Sequence, residues 1–280
     1  MVGAAVSCEN PNCRYLVLFV TALCILGLLT ACGTLNNGRG WGQDATISPG
    51  WNCVGNAALD AVIAPETWVP VVGAAVLQVD HMDKRLSHYA TSNTPVFGSQ
   101  DAARSAGHLC KQASQLAYVV TMVATPSGDT PEDWAISKLK GFTVGGAAIA
   151  STSGATGFLK NTTKRTRPDG SDNKSFPSAT TSRASVNATL ASRNLDSLPF
   201  DDGSRTAFRV GLFTLTAATG WARVEAEGHY PSDVLVGAAI GHFFAVFFNN
   251  AFLGLNNPHD IALEVEPSRE GVMVRFLCSF

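Results

Sequence analysis

The sequence predicts an all-α fold, a helical bundle closed by a short C-terminal β-hairpin. Three observations carry that expectation. Apolar residues recur three and four apart through most of the stretch between residues 57 and 255. Capping residues, prolines and acids stand at helix starts, as in Thr130-Pro131-Glu132-Asp133. Of the 280 residues, 46% are hydrophobic and only 15% charged, which gives one domain enough apolar mass for a core.

Taken in order, residues 1–32 read as a lipoprotein signal peptide. Tyr15 to Leu29 is an apolar run preceded by Arg14 and ending in Leu29-Thr30-Ala31-Cys32, small residues before a cysteine. That pattern resembles the bacterial lipobox, which implies a lipid on Cys32 and a chain anchored on the outer side of a membrane. With two membranes, Gly33 after Cys32 resembles the context of outer-membrane sorting. Residues 33–52, rich in Gly, Asn, Ser and Thr, read as a tether. The helical domain spans 53–256. Ala57 to Val79 suggests two short helices interrupted by Pro65 and Pro70, and Ser99 to Ala124 another helix or pair. The segment beginning at Thr130 runs to about Thr156, softened by Gly145 and Gly146. Lys160 to Ser175 is a polar, charged loop. Pro177 to Arg193, Ser204 to Val224, and Pro231 to about Leu255 are helical. The last contains the most hydrophobic stretch after the signal; His242, Asn249 and Asn250 within it favour a buried central helix over a membrane span. Residues 257–280 form the hairpin and tail, with Ile261 to Val265 and Val272 to Phe276 flanking a turn.

A formal net charge of −2 argues against nucleic acid as a partner, because counterion replacement needs a basic face. Of seven cysteines, Cys53, Cys110 and Cys278 remain beyond Cys32, so at most one internal disulfide forms among them. No spacing of Cys and His suggests a zinc site. His242 reads as a core histidine.

Three polar segments lie in order among these helices. The first runs from Lys160 to Arg167-Pro168, the second is Phe176-Pro177-Ser178-Ala179-Thr180, and the third is Ala222-Arg223, five residues, His229, three residues, Asp233. They resemble the signatures Lys-x6-Arg-Pro, Pro-Ser-Gly-His and Ser-Arg-x5-His-x3-Asp of the type 2 phosphatidic acid phosphatase superfamily, which includes bacterial acid phosphatases and vanadium haloperoxidases. The resemblance covers Lys160 to Asp233. It implies that family's helical bundle, a phosphatase of phosphomonoesters or lipid phosphates, a phosphohistidine intermediate on His229, and no metal or other cofactor.

The chemistry of the residues points the same way. A phosphate ester carries nearly two negative charges, and Lys160, Arg167 and Arg223 form a cationic clamp suited to its oxygens. Pro177 as the first residue of a helix leaves the Ser178 and Ala179 amides free to bind phosphate, and the Ser178 hydroxyl adds a donor. Neutral imidazole is a competent nucleophile once its tautomer is fixed. Asp233, four residues beyond His229, can accept the Nδ1 proton and leave Nε2 to attack.

The second segment departs from the pattern. Thr180 stands where the family carries a histidine acting as general acid, and a threonine hydroxyl is too weak an acid to protonate a leaving alkoxide at neutral pH. Positioned acid catalysis typically contributes about 10²–10⁴-fold. Ala179 replaces glycine and Ala222 replaces serine. The sequence therefore leaves open a phosphatase weakened toward poor leaving groups, a non-catalytic phosphate- or lipid-phosphate-binding lipoprotein, and a vanadate-dependent haloperoxidase.

Overall fold

The computed structural model describes residues 33–35, 38–254, 261–268 and 271–278. Eight α-helices lie among them: α1 (Trp51–Ile63), α2 (Pro65–Val76), α3 (Met82–Asn93), α4 (Gln100–Ala124), α5 (Pro131–Thr163), α6 (Ala179–Asn194), α7 (Asp202–Glu225) and α8 (Pro231–Phe252). Strands β1 (Ile261–Ser268) and β2 (Gly271–Cys278) pair antiparallel with Ile261 opposite Cys278. The signal segment, Cys32 and the junction at 256/257 lie outside the described residues.

The helix starts follow local chemistry. Ser99, Thr130 and Asp201 each cap a helix by accepting a backbone N–H, from Ala102, Asp133 and Ser204. Proline opens α2, α5 and α8, where its missing N–H costs nothing. α5 continues to Thr163, beyond the expected end near Thr156, so Lys160 stands in its last turn and not in a loop. Gly145 and Gly146 do not break it. At Gly145 an added Cβ would lie 1.8 Å from the Tyr118 hydroxyl, so close packing with α4 is what the glycine permits.

Helix α3 has no counterpart in the sequence reading. Its buried residues are Asp83, Ser87 and Ala90, four and three apart, so the helix has the correct period but a polar inner face. Hydrophobic periodicity cannot see such a helix. The chain enters it through Asp80 and His81 and leaves through Thr94, all at positive φ.

The expected tether is instead part of the domain. Trp41 is 2% exposed and sits in the main core with Tyr118, Val144 and Leu253, and Leu35 and Ala45 pack against that core. Its ring fills the notch left by Gly141 of α5, where a Cβ would come within 2.2 Å. The Trp41 amide donates to the Pro126 carbonyl, and Gly33 pairs with Gly128 in both directions. The chain therefore joins the bundle beside the start of α5. Lys160 lies at the other end of that helix, roughly 45 Å away at 1.5 Å per residue.

α8 is the central helix, packed against α1, α2, α5, α6 and α7. It is also the one single helix among the described residues long and apolar enough to cross a membrane. His242 within it meets the Thr189 hydroxyl through Nδ1 at 3.1 Å, with Glu66 3.8 Å from Nε2. Buried Lys138 of α5 satisfies the end of α4 by donating to the Met122 and Thr125 carbonyls. Cys53 and Cys110 are free thiols.

Candidate active site

Four helix ends meet at one end of the bundle. The C-termini of α5 and α7 bring Lys160 and Arg223, each in a last turn, where a cation complements the helix dipole. The N-termini of α6 and α8 bring Ala179, Thr180 and Asp233. The loop between α5 and α6 supplies Arg165, Arg167 and Ser175.

His229 is 3% exposed and precedes α8. Its Nδ1 lies 2.6 Å from the Ser175 carbonyl oxygen. A carbonyl only accepts, so Nδ1 carries the proton and Nε2 keeps its lone pair. This corrects the expectation that Asp233 accepts the Nδ1 proton: the nearest Asp233 oxygen is 3.8 Å from Nδ1, outside hydrogen-bond range. Burial lowers the pKa of His229, against the raising effect of Asp233 and with the help of Arg223 and Lys160. The neutral ring is thereby favoured.

Asp233 is fully buried and serves three donors. Oδ2 accepts the Ser175 hydroxyl and, at 2.9 Å, the Tyr230 amide, which closes a capping box at the start of α8. Oδ1 accepts Arg165 Nη1 at 2.7 Å. Burial raises its pKa, but His229, Ser175, Arg165 and the Tyr230 amide together hold it below the usual carboxylate range. The four-residue spacing from His229 follows from this geometry, since the third position of α8 lets one carboxylate cap the helix and face the ring.

Arg165, read from the sequence as one basic residue of a loop, is the hub of a buried network. Its Nη2 donates to Asp83 Oδ2 at 2.6 Å, its Nη1 reaches the Ser232 hydroxyl at 2.8 Å, and its guanidinium lies 4.1 Å from the centre of the Tyr230 ring. Asp83, 2% exposed on α3, also accepts the Ser232 amide at 2.8 Å and the Ser232 hydroxyl at 2.6 Å. Sequence reading missed Asp83, Arg165, Ser175 and Ser232. Their partners lie up to 149 residues apart, and no spacing along the chain could have linked them.

The three expected phosphate cations converge beside His229 in different states. Arg167 donates to the Gly228 carbonyl at 3.0 Å and to Asp172 at 2.7 Å, so half its fork is already engaged. Lys160 donates to the Lys174 carbonyl, and burial followed by the nearby Arg167 pulls its pKa down to about 8. Arg223 passes under Gly228, where a Cβ would lie 2.5 Å from its Nη2, and its buried Nε has no partner among the described residues. Burial, then Arg167 and Arg104, lower its pKa, yet guanidinium stays charged at any working pH.

Ser178 differs from expectation. It is the N-cap of α6, so Pro177 precedes the cap and is not the first helical residue. Its amide donates to the Asp233 carbonyl at 2.9 Å, and its fully buried hydroxyl is held by Thr181. The amides of Ala179 and Thr180, in the first turn, have no acceptor within the helix, as first-turn amides generally do not. Among the described residues, no cluster of His, Cys, Asp and Glu is arranged to hold a metal ion.

Residues 142–256 match the family model described as the PAP2 superfamily. A lipid A 1-phosphatase of Porphyromonas gingivalis is 38% identical over 78 residues, 28% of this chain. The matched stretch spans only 16% of that relative's length. The crystal structure of a transmembrane PAP2-type phosphatidylglycerolphosphate phosphatase from Bacillus subtilis aligns with a TM-score of 0.51. The alignment covers 66% of this chain and 92% of that one at 19% identity, a likeness of fold.

Replacing Arg165 with methionine strips a partner from two buried carboxylates at once. The expected cost is about 3 kcal/mol or more of folding stability, readable as a shift in the denaturant midpoint with the slope unchanged; a shift under about 0.5 kcal/mol would contradict the network's weight.

Proposed function

We propose that this chain, whose residues 142–256 match the PAP2 superfamily model, is a phosphatase that forms a phosphohistidine on His229 and acts on phosphate monoesters, lipid phosphates among them. The observation that carries this reading is the 2.6 Å contact between His229 Nδ1 and the Ser175 carbonyl, which leaves Nε2 as a neutral nucleophile among Lys160, Arg167 and Arg223. The phosphatase activities of the relatives support the reading.

In the first step Nε2 attacks phosphorus and the bond to the leaving oxygen breaks. Lys160, Arg167, Arg223 and the Ala179 and Thr180 amides stabilise charge on the equatorial oxygens. The imidazolium-like phosphohistidine keeps its Nδ1 proton on the Ser175 carbonyl, and the Asp233 carboxylate behind it offsets the positive charge. Water then attacks phosphorus, frees inorganic phosphate and returns the ring to its starting tautomer. Asp233 is thus an electrostatic and positioning group that holds Ser175, and Ser178 shapes the start of α6 without touching phosphate.

The proposal extends to the envelope. A lipid on Cys32 would tether the chain near Gly33, at the end of α5 opposite the site. The exposed apolar residues of α2 (Trp68, Val69, Val72 and Val76) and the hydropathy of α8 favour association with a membrane.

Phosphate release from p-nitrophenyl phosphate in the presence of chelator tests the nucleophile. His229→Ala should abolish it, and turnover that survives in that variant would refute the mechanism. If the wild-type chain binds phosphate or vanadate tightly without turnover, it is a phosphate-binding protein instead.

The value of kcat/KM should fall as pH rises through about 8. Protonated Lys160 attracts the substrate below that pH, and the charge is lost above it. Lys160→Arg should move that alkaline limb upward, because guanidinium does not deprotonate there; an unmoved limb assigns it to another group.

Thr180 supplies no proton to the departing oxygen. Aryl phosphates should therefore turn over about 10² times faster or more than alkyl phosphates. Thr180→His should narrow the gap by raising the alkyl rate. Equal aryl and alkyl rates in the wild-type protein would mean that another group is the acid.

A further inference from the structure

Helix α3 is held against the site by charge more than by apolar packing. The residues it buries are Asp83, Ser87 and Ala90, which offer little apolar surface. Two carboxylates fasten its segment instead. Asp83, in its first turn, reaches Arg165 and Ser232, and Glu225 of α7 accepts the Val96 and Phe97 amides just beyond its end, at 2.9 and 3.0 Å. The chain enters α3 through two successive residues, Asp80 and His81, in the left-handed region that non-glycine residues avoid. Such a conformation persists only where its surroundings require it, and the turn it makes delivers Asp83 to the interior.

Asp83 divides the Arg165 fork. A guanidinium beside a carboxylate tends to close on both oxygens through two N–H groups. Arg165 does not do so with Asp233: Nη1 goes to Asp233 Oδ1 at 2.7 Å, and Nη2 is taken by Asp83 at 2.6 Å. Asp233 Oδ2 is therefore left to the Ser175 hydroxyl and the Tyr230 amide. The Ser175 carbonyl in turn accepts from His229 Nδ1. We infer that Asp83 is a positioning residue for the reaction: by holding Nη2 of Arg165 it keeps Asp233 available to Ser175, and so keeps His229 Nε2 directed at phosphorus. The inference rests on the phosphatase reading above and adds to it a residue outside the three polar segments. Without Asp83, Arg165 closes on both Asp233 oxygens and Ser175 loses its acceptor. The charge around the ring changes as well. Arg223 of α7 and Lys160 of α5 are the cations that act on His229, and Asp233 of α8 is the anion that opposes them. Arg167 of the loop bonds the carbonyl of Gly228, next to His229. Asp83 offsets Arg165, so that the Asp233 charge is not spent on it.

Kinetics on p-nitrophenyl phosphate with the full-length protein test the assignment. Asp83→Asn keeps the size and an acceptor for the Ser232 amide but removes the charge. It should lower kcat about tenfold or more while KM stays within about threefold. The acid limb of kcat/KM should move about half a unit lower, because less negative charge opposes the cations around His229. Ser175→Ala removes the hydroxyl whose acceptor Asp83 protects, so Asp83→Asn added to it should cost no more than about twofold further. A folded Asp83→Asn protein with unchanged kcat or an unmoved limb overturns the proposal, as does the full tenfold loss in the Ser175→Ala background. A residue that only stabilises the fold would shift the denaturant midpoint and leave the limb in place. If Asp83→Asn does not fold, Asp83→Glu takes its place and keeps the charge on a longer arm. The His229 titration midpoint should then stay within about 0.2 units while kcat falls about threefold or more, and either a displaced midpoint or an unchanged kcat overturns the proposal. That midpoint is read without turnover from 15N-labelled histidine, with His229 assigned through His229→Gln. If the wild-type chain does not turn over, the phosphatase reading fails by itself and the titration decides the rest. A lower midpoint in Asp83→Asn keeps Asp83 as the group that sets the ring, and an unmoved one discards it.

Discussion

The Asp233 carboxylate is the interaction on which the rest of the site depends. An ionised carboxylate with no exposed surface persists only if donors replace the water it has lost. Here they come from three places: the Ser175 hydroxyl, Arg165 of the same loop, and the Tyr230 amide of its own helix start. The backbone carbonyl of Asp233 also receives the Ser178 amide at the head of α6. One residue thus fixes the loop after α5, the start of α6 and the start of α8 relative to one another. The Ser175 carbonyl that sets the His229 tautomer is held as a by-product of that arrangement. Asp233 acts on the imidazole by placing its partner, and its charge reaches the ring across 3.8 Å without a hydrogen bond.

The basic residues of the loop after α5 have divided fates, and the division is electrostatic. Arg165 points inward and is compensated by Asp83 and Asp233, so it contributes architecture and little field at the reacting centre. Arg167, two residues on, keeps part of its fork available, and Arg223 is half-buried, with a buried Nε that has no partner among the described residues. Burying guanidinium without a carboxylate is unfavourable in isolation. At this place it is consistent with a site whose ligand brings the negative charge, because the desolvation cost then falls on the free protein and the bound anion relieves it.

Helix polarity gives the site a common sign. Two N-termini, each carrying partial positive charge, meet the C-termini of α5 and α7, where the last-turn cations Lys160 and Arg223 offset the opposite dipoles. All four ends therefore present positive potential to the same volume. α8 belongs to this cluster through its first turn.

The sequence by itself determined the class of fold, most helix boundaries, and the residues whose roles are written in local spacing. Thr130-Pro131 starts α5, and His229 and Asp233 are separated by the distance a capping residue imposes. The Lys, Arg and His of the three polar segments also stand out because their order along the chain is informative. What only the tertiary structure decided is which of those groups remain available. Ser178 has the correct identity, yet its amide and hydroxyl are consumed by Asp233 and Thr181. Arg165 and Arg167 look alike in the sequence and differ because one meets Asp83, 82 residues earlier in the chain. α3 was invisible because its inner face is polar, and the presumed tether carries Trp41, whose burial needs a notch at Gly141. In each case the deciding term is the pairing or burial of a group by residues far along the chain. Periodicity and spacing register neighbours within a few turns, whereas hydrogen-bond satisfaction and packing are settled only when the helices meet.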